Sequence, residues 1–243
     1  VRFDKLIMKT QSFQGMGGFP LPSQGDVLSL ISGGFDSAVA TYLMIRKGLR
    51  THFLFFNLGG PAHETGVRQM SFYLWNKYSL SHKVKFVSVD FAPVVDEILK
   101  TIDSGLMGVV LKRMMMRAGA QVAEHMGIKA MVTGESIGQV ASQTITNLNV
   151  IDRVTDMLVL RPLIYQDKQE IINMARDIGT EDLAKGMPEY CGVISKSPTI
   201  SAVLKDVEAA EAKFDFSVLE KAATEAKILD IRTVEYQTEQ QLQ

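Results

Sequence analysis

Short apolar runs alternate with longer amphipathic stretches through most of this chain. The runs VLSLI (27–31), THFLFFN (51–57), VKFVSVD (84–90), KAMVTG (129–134) and MLVLRPL (157–163) read as strands. Between them apolar residues recur at helical spacing over roughly 36–47, 64–78, 93–103, 107–126 and 167–178. Apolar strands separated by amphipathic helices predict an α/β fold, a mainly parallel twisted sheet with helices on both faces. Ligands of such sheets sit at the carboxyl ends of the strands.

The flanks follow other patterns. QSFQGMGGFPLPSQG is rich in Gly, Pro, Ser and Gln, the composition of a linker, and VRFDKLIMK before it reads as a strand. After Ala184 the loop KGMPEYCGVISKSP leads into a charged helical tail containing VLKDVEAAEAKF and VLEKAATEA, and the polar EYQTEQQLQ is expected to fray. The expected organisation is an arm over 1–25, a main domain over 26–200 and a helical extension over 201–243. There is no internal repeat.

Composition narrows the class. With 243 residues, 46% hydrophobic and 22% charged, the chain suits one large domain or two small ones. A net charge of −1 exerts no general pull toward nucleic acid or membrane. No apolar run approaches a bilayer span and no secretory signal opens the chain, so the expected location is cytoplasmic, away from membranes. A single cysteine excludes a disulfide framework, a Cys-rich zinc site and a three-cysteine iron–sulfur site. His52, His63, His82 and His125 lack metal-ligand spacing, and no metal site is expected within the chain itself. The MMM run at 114–116 reads as helix core.

Candidate chemistry begins at LSLISGGFDSAVATYL (28–43). A strand, a glycine turn and a helix start aim several free amides at one point, an arrangement that binds anions and phosphate above all. The loop is Ser32-Gly33-Gly34-Phe35-Asp36-Ser37, neither GxxxxGK[ST] nor GxGxxG. As plain structure it would be a tight strand–helix turn with a Ser or Asp cap, and Asp36 can serve as that cap.

SGG-hydrophobic-DS resembles the pyrophosphatase loop of ATP-dependent adenylating enzymes. FFNLGGPAHETGVRQ, VTGESIGQVASQT, LRPLIYQDKQEII and GMPEYCGVISKSP narrow the likeness. Together they resemble the tRNA 4-thiouridine synthetase family, sulfurtransferases also used in thiamine biosynthesis. The resemblance runs from about Val1 to the end of the chain, and GGFPLPSQG is similar to the stretch joining that family's RNA-binding domain to its adenylating domain.

The resemblance implies an adenine nucleotide alpha-hydrolase-like fold using ATP and magnesium. ATP would lie across the carboxyl ends of the first, second and fourth strands. The loop of Ser32, Gly33, Gly34 and Ser37 would hold phosphates, and Asp36 would orient magnesium on the departing pyrophosphate. Leu30 and Ile31 would wall the pocket, and the main chain of Phe55 and Phe56 would read the adenine edge. Lys112 shares a helix with Arg113 and Arg117 and reads either as a solvated basic face or, by resemblance, as a nucleotide contact. Gly134 would let the ligand approach, and Gln143 would hydrogen-bond to it. Lys168 stands near a helix start, where its charge opposes the dipole; it would neutralise charge developing on phosphate.

Cys191 sits in a Gly/Pro/Ser-rich loop near Lys196, which favours the thiolate. By resemblance it serves sulfur transfer through a transient disulfide with a cysteine of a rhodanese-like domain, charged by a cysteine desulfurase. This chain has no second cysteine. The implied reaction adenylates the uridine at tRNA position 8 for conversion to 4-thiouridine, with a linked role in thiamine thiazole synthesis. The partner is tRNA, and a homodimer is compatible with the reading. Two alternatives stay open: a related synthetase that adenylates a carboxylate, and a tRNA- or nucleotide-binding module without turnover.

Overall fold

The computed structural model describes residues 8–13, 15–188, 195 and 197–234. Strands β1 (Asp26–Leu30), β2 (Arg50–Asn57), β3 (Lys85–Asp90), β4 (Ala130–Val132), β5 (Leu158–Leu160) and β6 (Lys227–Asp230) form one sheet in the order β5-β4-β1-β2-β3-β6. All neighbours are parallel except β6, which pairs antiparallel with β3. From β1 the chain winds outward through β2 and β3; it then crosses back to lay β4 on the other flank of β1. Strand order therefore reverses between β1 and β4, where open α/β sheets hold their ligands.

Helices cover both faces, as the apolar strands require. Along β2 and β3 the side chains alternate. Leu54, Phe56, Val87 and Val89 enter a core with α3 (Ala92–Thr101), α4 (Met107–His125), α5 (Ile145–Asp152), α8 (Leu204–Glu211) and α9 (Phe216–Thr224). Phe53, Phe55 and Phe86 enter the other, with α1 (Phe35–Arg46), α2 (Gly60–Tyr78), α6 (Lys168–Ile178) and α7 (Glu181–Lys185). Met114 and Met116 are buried in the first core, as read. Under the phosphate loop, Thr41 donates to the Ser37 carbonyl at 2.7 Å. The buried Ser29 hydroxyl, 2.8 Å from Thr41 Oγ1, therefore donates to Thr41, tying β1 to α1.

The differences from expectation lie where local pattern is weakest. Helix α5 was not expected; it is eight residues long and is started by Thr144, whose hydroxyl accepts from Asn147 N–H at 3.2 Å. The tail after residue 200 is not helical throughout, because residues 227–230 become a strand by pairing with the edge of β3. The arm is docked: Phe19 N–H donates to the Arg46 carbonyl and Gln24 N–H to the Gly48 carbonyl. Most of the strand expected in VRFDKLIMK lies outside the described residues, and Met8 and Lys9 have no regular structure. Among the described residues no helix is long and apolar enough to cross a membrane.

Candidate functional site

The loop after β1 is closed by Ser37. Its hydroxyl donates to the Gly34 carbonyl at 3.1 Å and accepts from both Ser32 N–H and the Ser32 hydroxyl at 3.2 Å. Gly33 takes φ +84°, and a side chain there would also run into Met187 and Val67. Gly34 is the N-cap of α1, and no side chain caps this helix. The expected cap by Ser or Asp is therefore corrected. Asp36 stands inside the first turn with its carboxylate directed elsewhere, leaving the helix-start amides to an anion.

That carboxylate meets Lys168 and Gln139. Lys168 Nζ lies 2.8 Å from Oδ1 and 3.0 Å from Oδ2, and Gln139 Nε2 donates to Oδ2 at 2.8 Å. Lys168 is the first residue of α6, a start already served by an Asp167/Glu170 capping box. Acids occupy the positions the dipole favours, and Lys168 reaches across the crevice instead, passing over the Phe35 ring.

The segment after β4 forms the opposite wall. Gly134 fits against α1 so closely that a Cβ would lie 2.7 Å from the Asp36 carbonyl carbon. The space a side chain would fill is thus occupied by helix backbone, and the reason first given for this glycine, room for a ligand, is corrected. Gln143 Oε1 accepts from Ser136 N–H at 3.2 Å, and its carbonyl accepts from Gly138 N–H at 3.0 Å, so Gln143 braces this loop.

Lys112 reaches the crevice from α4 and pairs with Glu135 at 2.6 Å. Arg161, past the end of β5, binds the other Glu135 oxygen at 2.8 Å and also pairs with Asp152. Burial alone would raise the Glu135 carboxyl, but Lys112 and Arg161 outweigh it and hold it at about 2. The three cations of α4 do not form a solvated face. Arg113 is 1% exposed and binds Glu211 with two nitrogens at 2.5 and 2.9 Å, joined there by Arg117.

At the end of β1, Ile31 N–H donates to the Leu54 carbonyl at 2.8 Å, the last link to β2. Strand alternation turns the main-chain groups of Phe56, two residues on, to the same side and beyond the end of β1. Those of Phe55 turn toward β3. The Phe55 and Phe56 side chains and Ile31 are buried core, with Leu30 partly buried beside them. His63 Nε2–H donates to the Ser32 carbonyl at 3.2 Å, and burial pushes this histidine's pKa down.

The structure therefore brings the Ser32–Ser37 loop, Asp36, Lys168 and Gly134 to one crevice, with Lys112 joined through Glu135. Cys191 and Lys196 lie outside the described residues. Sequence reasoning missed Gln139, Glu135, Arg161 and His63. The first two lay inside the quoted segment VTGESIGQVASQT, but nothing local marks which of its polar side chains turns inward. A cavity of about 890 Å³ at the amino ends of β4 and β5, lined by Arg117, Lys129, Asp156 and Phe216, holds none of these residues.

Residues 22–216 match the family model described as thiamine biosynthesis protein (ThiI). The chain is 65% identical over 238 residues to a tRNA sulfurtransferase of Tolumonas auensis, covering 98% of this chain and 49% of that protein. It is 60% identical over 242 residues to the tRNA sulfurtransferase of Escherichia coli K12, covering 100% of this chain and 50% of that one. The chain thus spans about half the length of the curated relatives it matches. A solved 4-thiouridine synthetase in complex with RNA and ATP superposes with a TM-score of 0.83 at 30% identity, covering 88% of this chain and 57% of that one. NMN synthetase from Francisella tularensis shares the fold alone, at 13% identity and a TM-score of 0.51, covering 83% of this chain and 82% of that one.

Proposed function

The chain belongs to the ThiI thiamine biosynthesis family, and on that premise we propose that it is the adenylating part of a tRNA sulfurtransferase that forms 4-thiouridine. The observation that carries this reading is the meeting of Asp36 and Lys168 at an uncapped helix start, beside the glycine loop, at the point where strand order reverses. The solved relative holding RNA and ATP supports the choice of both substrates.

In this reading ATP lays its phosphates on the amides between Ser32 and Ser37, and the Phe56 main chain faces adenine. Leu30 and Ile31 back the pocket, while Lys112, Gly134 and Gln143 form or brace its far wall. The uracil 4-oxygen attacks the α-phosphorus and pyrophosphate departs. Lys168 turns from Asp36 to the developing charge, worth most where it is partly shielded from water. Among the described residues no group of three or more His, Cys, Asp or Glu could hold a metal alone. One carboxylate plus substrate phosphates is nevertheless a fitting magnesium site, with Asp36 as the protein ligand. When bound, magnesium would offset charge on the leaving pyrophosphate.

Adenylation turns a poor leaving group, the uracil oxygen, into a good one. The terminal sulfur of a persulfide then attacks the ring carbon and AMP leaves. The Cys191 thiolate attacks the donor cysteine's sulfur, breaking the S–S bond so that one sulfur stays on the base. The two cysteines are left as a disulfide, which a dithiol reductant reopens. The donor is a rhodanese-like domain charged by a cysteine desulfurase, and the same persulfide would serve thiamine thiazole synthesis. The tRNA substrate implies a cytoplasmic location. In the longer protein, residues 1–25 would link to an RNA-binding domain and the segment beyond 201 would lead to the rhodanese-like one.

The test is AMP release from ATP on unmodified tRNA by the full-length enzyme. Asp36→Ala should abolish it with the fold intact, and Lys168→Met should depress it far more than ATP binding. Near-normal AMP release by Asp36→Ala would overturn the reading.

A further inference from the structure

The two partners of Asp36 differ in kind. Lys168 is a charge on a flexible stem, with its side chain 41% exposed, and the proposed reaction draws it away to phosphate. Gln139 is neutral, and its loop is pinned at several points. Gln139 N–H reaches the Ser136 carbonyl at 3.4 Å, and Gln143 holds Ser136 and Gly138. Ser136 Oγ donates to the Gln166 carbonyl at 2.8 Å and Ile137 N–H to the Ile164 carbonyl at 3.0 Å. The loop that carries Gln139 is thus bonded to the segment immediately before Lys168.

An amide donor orients a carboxylate without cancelling its charge, whereas an ammonium does both. Once Lys168 leaves, a carboxylate with no other partner is free to rotate. We infer that Gln139 is a positioning residue that holds the Asp36 carboxylate in its working orientation while Lys168 serves the phosphates. The inference rests on the adenylation reading above. Among the described residues, Lys168 from α6 is the charged side chain in contact with Asp36, and Gln139 is its neutral partner.

The test uses the full-length enzyme with unmodified tRNA, and separately measures ATP binding at equilibrium with and without magnesium. Gln139→Leu should lower AMP formation roughly 10- to 100-fold and raise half-saturating magnesium about 10-fold, the scale of a misoriented reacting group. ATP binding without magnesium should change less than about 2-fold, since the loop amides are untouched. Unchanged magnesium dependence in Gln139→Leu overturns the inference. Failure of the unaltered enzyme to form AMP would overturn the adenylation reading itself, and the role of Gln139 with it.

Discussion

Replacing Gly134 by alanine sets a methyl group against the first turn of α1. The new Cβ would stand 2.7 Å from the Asp36 carbonyl carbon, 2.8 Å from its oxygen and 2.8 Å from Ser37 N, against the 3.4 Å at which ordinary contact begins. All three are main-chain atoms, so none swings aside as a side-chain tip would. Relief requires α1 and the segment after β4 to separate by some 0.7 Å, the gap between 2.7 and 3.4 Å. The Asp36–Gln139 contact, which spans that gap, is 2.8 Å long, and a shift of that size stretches it to the limit of hydrogen bonding. Misplacement on this scale costs on the order of 10- to 100-fold in rate. Overpacking adds about 1–3 kcal/mol of lost stability, a Tm lower by roughly 3–10 °C. Gly108→Ala is the control, since nothing lies within 4 Å of its added Cβ and the site is inside α4. It should gain up to about 1 kcal/mol from helix propensity and leave AMP formation unchanged. Both variants are compared by calorimetric melting and by AMP release on tRNA. A Gly134→Ala protein with unaltered Tm and unaltered AMP release would refute the packing argument.

Three further outcomes are expected. The Glu135 carboxyl is held at about 2 against an ordinary 4.5, so it supplies stability above pH 4.5 that is lost as pH falls toward 2. The lost contribution is on the order of 3 kcal/mol; urea titrations of Glu135→Gln should show that acid slope flattened, and an unchanged slope would refute it. Glu211→Ala leaves the buried Arg113 without its carboxylate and should cost about 3–5 kcal/mol. The Arg113→Met/Glu211→Leu pair should recover most of this in chemical denaturation, and fully additive losses would count against the pairing. Cys191→Ser should keep AMP formation on tRNA yet lose repeated turnover to 4-thiouridine in the full-length enzyme. Normal multiple turnover would remove Cys191 from the chemistry.

Periodicity alone determined strands β1 to β5 and most of the helices between them, and with them a mainly parallel sheet. It also marked the Ser32–Ser37 loop, because a strand, two glycines and a helix start are adjacent in the chain. Lys168 was legible as a misplaced charge at a helix start. Tertiary structure alone decided what these groups touch. Lys168 finds Asp36 across 132 residues of chain, and no local pattern encodes that meeting. Lys112 and Arg113 are neighbours in sequence, yet one reaches Glu135 in the crevice and the other is buried on Glu211. A helix turns by about 100° per residue, so which elements pack on either side sends adjacent cations to different fates. Residues 227–230 become a strand only because the edge of β3 offers hydrogen bonds. Gly134 was legible as a glycine at a strand end but not as a contact with α1, and Gln139 carries no signal of its own, since a close backbone approach and an inward-turned amide exist only once β4 lies beside β1 and α1 stands over it. Local sequence determined the elements and their charges; packing, which joins residues far apart in the chain, decided their partners.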